Sequence, residues 1–391
     1  MRILVILSSL DNGGAQRVAA QITGYWAGRG HDVVLATLSR SRDGDYPLGP
    51  GVQHLPLGVA ALSPNRASAL FNNIGRVLRL RREILRLDPD VVIGLMTSAN
   101  VLAALAGVGL RSRTIGCEHN TPDREPLEPI WRFGRLLTYR LLDAVTVLTQ
   151  GAAAWIRTHV PCRRLLVVPN ALTWPLPSLA PRLDPDDIVS KDRKVILAVG
   201  RLAPQKDFRT LLRAFGAIAA DHPEWDLVIL GDGELRPQLM DLRANLALEQ
   251  RVLLPGHAGN MPDWYRRASI LAMSSEYEGF PMVLVEALAF GLPVVSVDCR
   301  EGPRDIVRDG IDGLLVADDD HEGLAAALSR LMSDDKLRTS FGGRAVEVRQ
   351  KLSETSVMAI WDRLFEQLGL SASVDPIVDE IGRAPERRCV Q

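Results

Sequence analysis

Glu278 and Glu286 stand with seven residues between them, around a Gly279-Phe280-Pro281 turn that leads into an apolar stretch. Glu286 sits among Val283, Leu284, Val285, Ala287, Leu288 and Ala289. A carboxylate there needs donors, because burying it unpaired is expensive, and sugar or ribose hydroxyls are natural ones. The alternative is a Glu that satisfies helix-start amides, as in a capping box. Pro281 suits a first helical turn, which would leave the N–H groups of Met282, Val283 and Leu284 facing whatever binds. Arg201 and Lys206 bracket a second loop, Gly200–Asp207. A planar guanidinium and a point-charge ammonium converging there would suit a diphosphate, although isolated cations are usually solvated. Gly13 and Gly14 make a third loop, where the backbone can approach a ligand and a helix start favours an anion. A plain tight turn is its other reading. It is not a G-x-G-x-x-G fingerprint, which argues against hydride transfer by a dinucleotide. Gly231-Asp232-Gly233 reads as a turn in which Asp232 caps the next helix.

Something must hold these loops at one edge. Short apolar runs alternate with longer amphipathic stretches from end to end, the pattern of βαβ units with a parallel sheet. The runs are Arg2–Ser8, Asp32–Leu38, Val91–Leu95, Thr114–Cys117, Ala144–Leu148 and Leu165–Val168, then Val195–Val199, Asp226–Leu230, Val252–Leu254, Ile270–Met273, Val294–Val297 and Gly313–Val316. Between the two sets, Pro169, Pro175, Pro177, Pro181 and Pro185 break the alternation. The fold class is therefore α/β, with two doubly wound Rossmann-like domains. The expected boundaries are a first domain at 1–170, a linker at 171–190, a second domain at 191–352, a closing helix at 353–370 and a disordered tail at 371–391. Such sheets bind ligands beyond the carboxyl ends of their strands, so functional residues are expected in the loops that follow them.

Composition narrows the classes. The chain has 391 residues, 46 basic and 47 acidic, and 5% aromatics, which excludes a wholesale nucleic-acid binder and a base-stacking platform. The four cysteines have no C-x-x-C spacing, which excludes a thiolate zinc site and suits a reducing compartment. The apolar opening ends after seven residues in a turn, so a signal peptide is not expected, and no apolar run is long enough to span a membrane. Asp-x-Asp strings at Asp43–Asp45, Asp88–Asp90 and Asp184–Asp186 fall in Gly/Pro turns and read as turn and cap residues, not metal ligands.

The Glu278–Glu286 pair resembles the E-x7-E motif of the retaining, GT-B-fold glycosyltransferases of family 4. The likeness takes in Gly13-Gly14, Arg201 with Lys206, Gly231-Asp232-Gly233, Gly291–Val295, Asp298–Ile306 and Asp309–Leu315, in that order. The resemblance implies an interdomain cleft, with the acceptor on the first domain and a nucleotide sugar on the second. It sets Arg201 and Lys206 on the diphosphate, Glu286 on the ribose, and Glu278 by the donor sugar. It sets the backbone of Gly279, Phe280, Pro281, Met282 and Val283 on sugar and phosphate, and Gly256-His257 beside the base. His119, in Cys117-Glu118-His119-Asn120, is expected near the reacting carbon; a core or capping histidine is the alternative. No metal and no cofactor are implied, and front-face attack assisted by the leaving phosphate is the expected route. The donor is expected to be a UDP-hexose or its N-acetyl form, with GDP-mannose open. Alternatives are a nucleotide-sugar epimerase on the same fold and a non-catalytic binding subunit.

Residues 1–184 carry a net charge of +8 and the remainder −9. Arg66, Arg76, Arg79, Arg81, Arg82 and Arg86 are interleaved with apolar residues, and Trp131, Arg132, Phe133, Arg135, Tyr139 and Arg140 follow a similar pattern. Such segments fit a surface that leans on anionic lipid; an ordinary helix with solvated arginines fits equally. A cytoplasmic location, peripheral on the inner face of the membrane, and a lipid-linked saccharide acceptor are the corresponding expectations.

Overall fold

A computed structural model describes residues 1–11, 13–42, 45–59, 66–121, 127–299 and 301–370, without the side chains of 66–70. The expected tail at 371–391 lies outside the described residues. Thirteen strands form two sheets among the described residues. The first holds β1 (Arg2–Leu7), β2 (Asp32–Thr37), β3 (Val52–Pro56), β4 (Val91–Leu95), β5 (Arg113–Glu118), β6 (Ala144–Val147) and β7 (Leu165–Val167). Its order is β3-β2-β1-β4-β5-β6-β7. The second holds β8 (Lys194–Val199), β9 (Trp225–Leu230), β10 (Val252–Gly256), β11 (Ile270–Met273), β12 (Val294–Val297) and β13 (Gly313–Val316), in the order β10-β9-β8-β11-β12-β13. Both are doubly wound, and the pairings described are parallel, for example Val195↔Asp226 and Ile270↔Ile196.

Parallel strands covered on both faces read as continuous apolar runs, and these do. Ile196, Ala198, Leu227, Ile229, Ile270 and Ala272 build one core of the second sheet, while Val195, Leu197, Val228, Leu230, Leu271 and Met273 build the other. β3 has no such run, since an edge strand needs only one buried face; its Gln53 and Pro56 are exposed.

The chain divides into two compact units, Met1–Ile115 with the residues from Asp362 onward, and Gly116–Trp361. The division falls inside β5 rather than at the proline-rich stretch. That stretch is fastened within the second unit. The Leu179 N–H donates to Gly259 O at 2.9 Å, and the Leu183 N–H to Asn260 Oδ1 at 2.9 Å. It includes a single helical turn, Pro185–Ile188, whose Asp186 N–H donates to Asp184 Oδ1 at 3.0 Å, as a cap residue should.

Candidate active site

Strand order in the second sheet reverses between β8 and β11, so their loops leave side by side, the usual place for a ligand in such a sheet. The β8 loop passes through a short turn, Pro204–Lys206, into the helix Phe208–Ile218. Asp207, at φ 37°, caps that helix by accepting the Thr210 N–H at 3.3 Å. Three bonds join this loop to the β11 loop. Ser274 Oγ donates to Lys206 O, the Glu276 N–H to Gln205 O, and Gln205 Nε2 to Tyr277 O, each at 2.9 Å. The β9 loop is fitted beneath. The Leu202 N–H donates to Asp232 O at 2.9 Å, and a Cβ on Gly231, at φ +135°, would lie 1.9 Å from Gly200 O. Asp232 accepts its neighbour's N–H, from Gly233 at 2.9 Å; the helix Arg236–Asn245 starts at Leu235, so Asp232 shapes the turn and does not cap the helix.

These fastenings place Lys206 Nζ 2.5 Å from Glu278 Oε1, and Ser275 Oγ donates to the same oxygen at 2.7 Å. Glu278 is buried, and its carboxylate is thus held by a cation and a hydroxyl. The following turn touches the loop after β5, inside the same unit. A Cβ on Gly279 would lie 2.6 Å from His119 O, and Thr121 Oγ1 donates to Glu278 O at 3.0 Å. Glycine is required at 279 by this approach. The His119 ring is half-buried, its Nδ1 is shielded and finds no partner among the described residues, and desolvation pushes its pKa down to about 4. His119 is therefore neutral at ordinary pH.

Pro281 caps the helix Met282–Ala289 instead of opening it, and makes no side-chain cap bond. The Leu284 N–H is not free as expected: it closes on Pro281 O at 3.0 Å. Those of Met282 and Val283 remain at the bare helix start, a partial positive charge suited to an anion. Phe280 is packed in the core. Glu286 is buried one turn in and accepts from Tyr265 Oη at 2.9 Å. Arg201 is exposed and unpaired among the described residues. Gly256, at φ +105°, accepts the Gly231 N–H at 2.9 Å, and His257 beside it is exposed. Gly13 and Gly14 belong to the first unit; they open the helix Gly14–Gly28 with no side-chain cap and no acid in its first turn.

Sequence reasoning placed Lys206 and Glu278 on separate parts of a ligand and missed that they face each other. It also missed Ser275, Thr121 and Tyr265, which carry no motif. Nearby Cys299 is no nucleophile, since burial first and the Glu278 charge second push its thiol up to about 12. No group of three His, Cys, Asp or Glu able to hold a metal is present among the described residues.

The family described as Glycosyltransferase Family 4 matches residues 12–173, and the one described as Glycosyl transferases group 1 matches 182–348. An exopolysaccharide phosphotransferase of Streptomyces coelicolor is 34% identical over 79% of this chain, which spans about a third (31%) of that relative's length. The amylovoran biosynthesis glycosyltransferase AmsD of Erwinia amylovora is 28% identical over 92% of this chain and 98% of its own. A Campylobacter jejuni α-1,4-N-acetyl-D-galactosaminyltransferase, named for a saccharide on undecaprenol diphosphate, is 26% identical over 94% and 99%. Among solved structures, sucrose-phosphate synthase from Thermosynechococcus elongatus superposes with a TM-score of 0.80 at 19% identity, over 94% of this chain and 99% of its own. With two parallel-sheet units, the strand-end loops just described and family matches along most of its length, the chain belongs to the GT-B-fold glycosyltransferases of family 4.

Proposed function

We propose that this glycosyltransferase moves a hexose or N-acetylhexosamine, with retention, from a nucleotide sugar to a lipid-linked saccharide in envelope polysaccharide assembly. A UDP-sugar is the first donor to try and GDP-mannose the second. Relatives named for amylovoran biosynthesis and for an undecaprenol-diphosphate saccharide support the pathway and the acceptor class. The cytoplasmic face of a membrane, with peripheral contact to anionic lipid, is the matching location.

The part-buried Lys206–Glu278 pair beside a bare helix start carries the reading. An ammonium has three donors; one serves Glu278 and the others are available to a diphosphate. Exposed Arg201, unpaired among the described residues, adds a bidentate donor, and the Met282 and Val283 N–H groups add fixed dipoles aimed at charge that grows on the leaving group. A carboxylate already holding Lys206 and Ser275 is a poor covalent nucleophile, which favours attack from the face the leaving phosphate occupies. Neutral His119 then acts as a hydrogen-bonding neighbour of the reacting sugar and not as a cation. Glu286, oriented by Tyr265, takes the ribose hydroxyls. Neither metal nor cofactor enters this scheme.

Thermal unfolding of the purified chain with UDP, GDP and their sugar conjugates tests it, because a ligand of the native state raises the midpoint. One nucleotide family should raise it, and Arg201→Ala and Glu286→Gln should remove the rise. No rise with any nucleotide refutes the donor site. Turnover should survive EDTA, and its loss there refutes the metal-free scheme. Release of an epimerised sugar without acceptor would make the chain an epimerase.

A further inference from the structure

The helix Pro129–Thr138 is built inside out. Ile130, Phe133 and Leu137 form one stripe that Leu141 continues, and they are 39, 58, 59 and 39% exposed. The residues it buries are polar. Arg135 is covered and lies 4.7 Å over the Trp155 ring, and the covered Thr138 donates its hydroxyl to Gly134 O at 2.8 Å. Tyr139 follows into the core, where its hydroxyl meets Glu118. A surface helix ordinarily turns its apolar stripe to the core, and a contiguous apolar patch left outside marks a contact surface. Among the described residues, Arg132 on this helix and Arg140 just after it are exposed beside the stripe, with Glu128 exposed at the helix start.

An exposed apolar stripe recurs in the other unit, on the helix Arg66–Leu87, although that helix also buries Leu80 and Ile84. Phe71, Ile74, Leu78 and Leu85 are exposed there, and the one acidic residue, Glu83, is buried beneath Arg79 at 3.2 Å and Arg86 at 2.7 Å. Several residues that the sequence offered to lipid have structural employment instead. Arg76 donates to Val59 O and Arg81 to Ala106 O and Val108 O, while Arg135 and Tyr139 point inward. Arg82, Arg132 and Arg140 remain exposed.

We propose that Ile130, Phe133, Leu137 and Leu141 form a membrane-seating surface that sinks into the interface of an anionic bilayer, with Arg132 and Arg140 on headgroup phosphates. Apolar burial plus attraction to anionic lipid is how such helices bind. A second copy of the chain is a poorer occupant, because two-fold pairing of the stripe would bring the same arginines together. The inference deepens the lipid-linked reading and rests on it only for purpose, since the surface is argued without the donor site.

Co-sedimentation of the full chain with phosphatidylcholine vesicles, with and without phosphatidylglycerol, tests it. Binding should require phosphatidylglycerol, weaken with salt, and fall about tenfold in a Phe133→Asp/Leu137→Asp variant. That variant should keep the wild-type unfolding midpoint, because both side chains are exposed. Equal binding to neutral and anionic vesicles, or a variant that binds like wild type, overturns the proposal. So does a wild-type dimer that the variant dissolves, which would seat a second copy on the stripe. The nucleotide-dependent midpoint, read on the same preparations, separates the two ideas. A nucleotide shift without vesicle binding sinks only the surface, and vesicle binding without a shift sinks only the donor site.

Discussion

The helices Gly14–Gly28 and Phe208–Ile218 occupy equivalent places, each leaving the first strand of its sheet, yet their first turns are finished differently. Asp207 closes the start of the second, and the loop before it is stitched to the β9 and β11 loops by backbone and side-chain bonds. Gly13 caps the first with no side chain, and no acid lies in its first turn. The helix Met282–Ala289 is left equally bare. Where the chain must hold a cation in place it builds a closed, heavily bonded loop. The two bare helix starts leave their dipoles uncovered, which is what an anion met by the backbone itself would need.

The largest effect that tests this contrast comes from a methyl group. Gly231→Ala sets a Cβ against Gly200 O at a φ that only glycine adopts readily, and should cost about 3 kcal/mol or more in denaturant unfolding. Gly14→Ala meets no atom within 4 Å and should unfold like wild type. Its turnover should nonetheless fall if that helix start receives an anion, and unchanged turnover would reduce the contrast to a matter of folding. Next in size, Asp207→Ala should lose about 1 kcal/mol of stability by urea titration, as removal of a helix cap does, whereas Asp207→Gly should lose less at this left-handed position.

A separate effect is a pH dependence from the loop after β5. His119 has a folded pKa of about 4 against an ordinary 6.5, so between these values the unfolded chain binds the extra proton. Stability from this group is complete above pH 6.5 and declines as pH falls toward 4. His119→Asn should flatten that part of the stability profile, and an unchanged slope would show that the histidine is hydrated and ordinary.

Most strands were legible because each is buried on both sides and therefore reads as an unbroken apolar run. β3 was not, since Val52-Gln53-His54-Leu55-Pro56 at a sheet edge looks like a loop. The helix Gln150–His159 is faint in the sequence for a related reason: it buries only Ala152, Ala153 and Ile156, too little for a periodic signal. At the site, the residues with chemistry were visible and their partners were not. Lys206 and Glu278 are 72 positions apart, and only the pairing of β8 with β11 makes them neighbours. Tyr265 escaped notice because its helix, Met261–Arg267, is too short to show a period.

The first unit is not one continuous piece of chain. Phe365, fully buried, packs 5.6 Å from the centre of the Trp26 ring, Leu364 and Leu368 are covered, and Arg113 Nε donates to Leu368 O at 3.0 Å. During synthesis the amino-terminal strands therefore leave the ribosome long before the residues that seal their core. Until the helix Glu354–Gln367 emerges, Trp26 lacks its ring partner, so the early unit cannot complete its core before the later one has been made. A truncation before residue 362 would leave the earliest-made segment of the protein, Met1–Ile115, as the part that cannot finish its core.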